Sequence, residues 1–95
     1  MKYTIEFMTS FKKGFKKIKK QGKDENKLYD IIEILAKGKT PDKKYKDHAL
    51  KDNKKFKGCR ELHIEPDWLL VYKYDNNKLI LFMVDTGSHS ELFNM

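Results

Sequence analysis

The chain has 95 residues, enough for one domain spanning 1–95, with 21 Lys and Arg against 14 Asp and Glu and a net charge of +7. Aromatics at 13% exclude a disordered tail, and no apolar run reaches the roughly 18–20 residues of a membrane span. The single Cys59 excludes an internal disulfide or a cysteine-based zinc site, and the N-terminus has no signal-peptide core, so a cytoplasmic protein without a membrane partner is expected.

Residues 2–8 read as a first strand, with Tyr3, Ile5 and Phe7 alternating with Lys2, Thr4 and Glu6. Thr9 and Ser10 are candidate caps for a helix whose apolar stripe is Phe11, Phe15 and Ile18. Lys12, Lys13, Lys16, Lys17, Lys19 and Lys20 fill the rest of that helix, and Gly22 stops it. Six lysines on one helix repel one another unless an anion lies near. Asp24 caps a second helix with a Leu28, Ile31, Ile32, Leu35 stripe, closed by Gly38. The two narrow stripes are expected to pack on one face of a sheet.

Residues 39–58 read as a connection holding at most one short strand, long enough to suggest a functional role. Residues 59–64, 68–74 and 78–84 have strand composition, Pro66-Asp67 separates the first two, and Asp75-Asn76-Asn77 makes a hairpin turn. The unbroken apolar run Leu79–Val84 suggests a strand covered on both faces. The expected architecture is α+β, in the order β-α-α-β-β-β.

Charge is unevenly divided. Residues 1–58 carry eighteen lysines and eight acids, a balance of +10, whereas residues 59–95 carry three cations and six acids, a balance of −3. The basic half suits a polyanion such as nucleic acid, or is simply a set of solvated helix faces. In the strand 59–64, Leu62 and Ile64 should face the helices, leaving Glu61 and His63 on the uncovered face, close enough to tune each other. Trp68 suits either the core or a base-stacking surface. Ser88-His89-Ser90-Glu91 fits a capping box, which places His89 on a short terminal helix. The three histidines, His48, His63 and His89, stand 15 and 26 residues apart with no metal-binding spacing, so neither a metal nor another cofactor is expected.

Three blocks carry a family resemblance. Arg60-Glu61-Leu62-His63-Ile64-Glu65-Pro66-Asp67-Trp68-Leu69-Leu70-Val71-Tyr72 resembles a segment of the YafQ-type toxins, members of the RelE superfamily of type II toxin–antitoxin systems. Tyr45-Lys46-Asp47-His48-Ala49-Leu50 and Thr86-Gly87-Ser88-His89-Ser90-Glu91-Leu92-Phe93 resemble two further motifs of that family, in the same order. The resemblance implies a RelE-like fold and a ribosome-dependent endoribonuclease that cuts mRNA in the A site without a metal, through attack of the substrate 2′-OH on the neighbouring phosphate. It also implies a cognate antitoxin, ribosomal RNA and mRNA as partners, with DNA met only through the antitoxin complex. Family positions fall on His48, Glu61, His63, Asp67 and His89 for proton transfer and its support, and on Trp68 and Phe93, which either hold bases or pack the site. The α1 lysines named above are expected to hold rRNA phosphates. Asp85 stands where relatives carry an Arg expected to clamp the transition-state phosphate. An aspartate there repels the phosphate, which leaves Arg60 or a lysine of 43–57 as the replacement. The alternative is a non-catalytic or weakened ribosome-binding homologue.

Overall fold

A computed structural model describes residues 1–93. Its elements are β1 (Thr4–Phe7), α1 (Thr9–Lys20), α2 (Glu25–Ala36), a 3-10 turn (Lys43–Tyr45), β2 (His48–Ala49), β3 (Arg60–Glu65), β4 (Trp68–Asp75), β5 (Ile80–Gly87) and α3 (His89–Phe93). The strands form one sheet in the order β1-β5-β4-β3-β2. β1 runs parallel to β5 and every other pairing is antiparallel. The expected architecture therefore holds, and the long connection contains the one short strand it allowed.

The helices cover one face. Phe11 and Ile18 of α1 and Leu28, Ile31, Ile32 and Leu35 of α2 bury their stripes against Leu62, Leu70, Leu81 and Met83 of the sheet. Gly14 lets α1 approach β5 closely: a Cβ at that position would sit 2.2 Å from the Thr86 carbonyl oxygen. Asp24 caps α2 as expected, accepting the Asn26 N–H at 3.0 Å. At α1 the expected side-chain cap is absent. Met8 occupies the cap position, and the Ser10 hydroxyl donates across to the Val84 carbonyl of β5, a tertiary bond that competes with capping.

The opposite face is not bare. Phe56 and Cys59 from the long connection, Leu69 and Val71 of β4, and Leu92 of α3 form a second, smaller core. This cover is partial along β5. Leu81 and Met83 are buried, whereas Ile80, Phe82 and Val84 are half-buried and Leu79 is exposed. The apolar run 79–84 is thus fully covered on the helix face alone, against the two-sided expectation. Among the described residues no helix is long and apolar enough to cross a membrane.

Candidate active site

Strand pairing brings the three histidine blocks together. His48 of β2 lies opposite Glu61 of β3, which lies opposite Val71 of β4. Leu62 is buried on the helix side, so alternation puts Glu61 and His63 on the other face, as expected. Glu61 nevertheless is buried, because the second core closes over that face. Its carboxylate sits 3.4 Å from His63 Nε2 and 3.7 Å from His48 Nε2.

His89 reaches the same place from the far end of β5. Its helix begins with the expected capping box: the Ser88 N–H donates to Glu91 Oε1 at 2.8 Å and the Glu91 N–H to Ser88 Oγ at 3.2 Å. The backbone bond from Ser88 holds the Glu91 carboxyl below its ordinary range. Asp67, in the turn between β3 and β4, accepts both the His89 backbone N–H at 2.8 Å and the ring Nδ1–H at 2.6 Å. Those two bonds, backbone first, lower the Asp67 carboxyl and keep it ionised. The His63 ring lies 5.4 Å from His89 and 6.4 Å from His48, centroid to centroid.

The His48 ring is fixed through the backbone. Its Nδ1 is 2.7 Å from the Lys46 carbonyl, an acceptor, so the neutral ring carries its proton at Nδ1 and leaves Nε2 bare. Lys46 itself adopts the left-handed conformation (φ 54°, ψ 40°), a strained arrangement for a non-glycine residue.

The structure takes the core reading of Trp68 and redirects Arg60. Trp68 is fully buried among the helix-side core, its Nε1–H donating to Thr86 Oγ1 at 3.0 Å and that hydroxyl to the Leu69 carbonyl at 2.7 Å. It offers no face to a base. Arg60 points away from the histidines, to the helix side beside Tyr72, and donates to Asp47 Oδ2 from Nη2 at 2.9 Å and from Nε at 3.3 Å. It cannot serve as the phosphate clamp. Glu61, His63 and His89, whose spacing in the chain shows no metal pattern, nevertheless present ligand atoms within 4.8 Å of one another.

Phe93 is half-buried and packs edge-on against Phe56, 5.6 Å between centroids. Asp85 pairs with Val71, which pairs with Glu61, so the residue in the family's Arg position stands in the same cross-strand row as the site. It is buried, with its carboxyl raised chiefly by that burial, and accepts the Thr86 N–H at 2.9 Å while Lys55 and Lys17 act on it from nearby. The six α1 lysines are exposed. Further cations gather here: Lys44 and Lys46 belong to the 43–57 segment already singled out, whereas Lys23 and Lys27 carried no signal in the sequence. Lys23 stands over the Trp68 ring and acts on Asp67, and Lys27, Lys44 and Lys46 line a cleft of about 490 Å³ beside His63. No periodicity marks them, since only the fold brings the α2 start and the 43–46 turn to His63.

The fold and this cluster of imidazoles and carboxylates define a small bacterial toxin: the chain belongs to the family described as the bacterial toxin of type II toxin–antitoxin systems, YafQ, whose sequence model matches residues 3–94. It is 41% identical over 90 residues to the mRNA interferase toxin YafQ of Escherichia coli strain B / BL21-DE3, covering 94% of each chain. The toxin chain in the crystal structure of the E. coli DinJ–YafQ complex superposes with a TM-score of 0.84 at 38% identity, over 96% of this chain and 98% of that one. A metal-bound toxin from Helicobacter pylori gives a TM-score of 0.88 at 44% identity, over 96% and 99%.

Proposed function

We propose that the chain is a ribosome-dependent endoribonuclease that cleaves mRNA in the A site and is neutralised by a cognate antitoxin. The observation that carries the reading is the convergence of His48, His63 and His89 on two carboxylates, Glu61 and Asp67, one buried and one exposed. In-line attack of a 2′-OH on the adjacent phosphate needs a base for the hydroxyl proton and an acid for the departing 5′-oxygen. His48 suits the base, because the Lys46 carbonyl holds its proton at Nδ1 and exposes the Nε2 lone pair. His89 suits the acid, because Asp67 fixes Nδ1–H and stabilises the positive ring that forms when Nε2 is also protonated. His63, held against Glu61, supports the pair between them. The products are a 2′,3′-cyclic phosphate and a 5′-hydroxyl.

Binding rests on lysine rather than on bases read through Trp68. The α1 lysines, continued by Lys23 toward Asp67, make point-charge contacts to rRNA phosphates. Lys55 and Lys17 are the cations nearest the Asp85 position and replace the family Arg. Mapping mRNA 5′ ends after induced expression tests the reading: the wild type should produce new ends within translated frames, and His89→Ala should produce none while remaining folded. Equal and uncut mRNA in both would sink it.

The Glu61, His63 and His89 donors favour a second reading of the same groups. One carboxylate and two imidazoles suit a borderline divalent ion such as zinc or copper. An ion held there would tie up the lone pairs that move protons and so inhibit cleavage. Added zinc should lower the cleavage rate and EDTA should restore it.

A further inference from the structure

His48 stands on the weakest element of the site. β2 is two residues long and lies at the sheet edge, and the His48 side chain is 50% exposed against 21% for His63. Little packing holds the ring, so its position must come from its chain neighbours. The residue before it supplies the anchor. Asp47 immediately precedes β2, and its side chain and that of His48 meet opposite faces of the sheet: Asp47 contacts Arg60 and Tyr72, His48 contacts Glu61. On the helix face, Asp47 takes two bonds from the Arg60 guanidinium (2.9 and 3.3 Å) and one from the Tyr72 hydroxyl. Arg60 and Tyr72 are themselves cross-strand partners in β3 and β4. Tyr72 is fully buried, so this clamp is rooted in the sheet interior.

We propose that Asp47, clamped by Arg60 and Tyr72 through the sheet, is a positioning residue that fixes the placement and tautomer of His48. The proposal rests on the nuclease reading for its consequence, though not for its geometry. The clamp at residue 47 and the left-handed residue at 46 together restrict the 46–48 backbone, and in this arrangement the Lys46 carbonyl meets His48 Nδ1. Burial and the Asp47 carboxylate push the Tyr72 hydroxyl far above the phenol range, so it remains a donor at any working pH. The same arrangement gives Arg60 its use. A cation in the block of catalytic residues, aimed at the opposite face, holds a base in place instead of holding a phosphate.

Long-range proton–nitrogen spectra of the histidine rings test this in the free protein. In Asp47→Asn the His48 signals should leave the Nδ1–H pattern for an average of both tautomers, with His63 and His89 unmoved. Tyr72→Phe keeps the Arg60–Asp47 pair and the fold, and should shift His48 in the same direction by less. In a ribosome-programmed cleavage assay, Asp47→Asn should lower kcat roughly 10- to 100-fold, the cost of a misplaced group, with KM changed less than about threefold. Arg60→Lys, which keeps the charge and loses the fork, should fall between Asp47→Asn and the wild type. His48 signals that coincide with wild type in both Asp47→Asn and Tyr72→Phe would overturn the proposal, as would a shift of all three histidines together. A wild-type protein that cuts no mRNA would remove the nuclease reading, and the ring spectra would still decide the clamp.

Discussion

The two faces of the sheet are built on different rules. The helix face is a continuous apolar core, with Trp68, Leu70, Leu81 and Met83 under two amphipathic helices. The other face mixes a small core, drawn from the long connection and α3, with a buried Glu61 and two half-buried histidines. The larger apolar core lies on the first face and the candidate active site on the second. Adjacent residues divide between them: Asp67 bonds His89 on one side while Trp68 fills the core on the other.

Substitutions should separate the faces. Trp68→Ala removes the largest fully buried side chain and leaves Thr86 Oγ1 without its indole donor. It should cost about 3–5 kcal/mol, read by denaturant unfolding. A loss below about 1 kcal/mol would mean that the helix-side core tolerates what a packed interior does not. Asp67→Asn belongs to the other face. It should lower the cleavage rate roughly tenfold or more and lower the neutral-pH melting temperature only slightly, because the Asp67 side chain is exposed and solvent screens its bonds to His89.

Two acids on the chemical side should respond to pH with opposite sign. The Asp67 carboxyl is lowered from its ordinary 3.8, so its contribution is complete above that value and is lost as pH falls through the lower, folded value. Melting curves of Asp67→Asn should therefore lack part of the wild-type loss below about pH 4. Asp85 is raised by burial, so its ionisation penalises the fold above the ordinary value and vanishes below it. Asp85→Asn keeps an oxygen for the Thr86 N–H and sheds the charge. It should raise the melting temperature by about 2–5 °C at pH 7 and by nothing at pH 3. An unchanged midpoint at pH 7 would show that Lys17 and Lys55 already offset the burial.

Much of the helix face was legible in the sequence, because apolar spacing reports burial directly. The stripes of α1 and α2, the Asp24 cap and the alternation of Leu62 and Ile64 all stand. The chemical face was legible chiefly through motifs. Side-chain alternation placed Glu61 and His63 together, and the capping box placed His89 on a helix. Local pattern left out whatever depends on two distant strands at once. It left Trp68 between core and substrate and offered Arg60 as a phosphate clamp, because composition cannot tell which face a strand residue takes without its partners. It separated histidines by chain length when pairing of β2 with β3, and the Asp67 bond to α3, bring them together. Asp47 stood in a family motif, but no local pattern gave it a role. Its value lies in being one residue from His48 and two strands from Tyr72.

The pairing of β1 with β5 has a consequence for how the protein is made. The first strand of the chain finds its partner only in residues 80–83, and His89 follows that partner. During synthesis β1 must wait, unpaired, for most of the chain to emerge, and such distant pairing is slow to form. His89, the proposed proton donor, is added after the strand that closes the sheet. A ribosome making this protein therefore carries an incomplete candidate site until the residues of β5 and α3 have both been made.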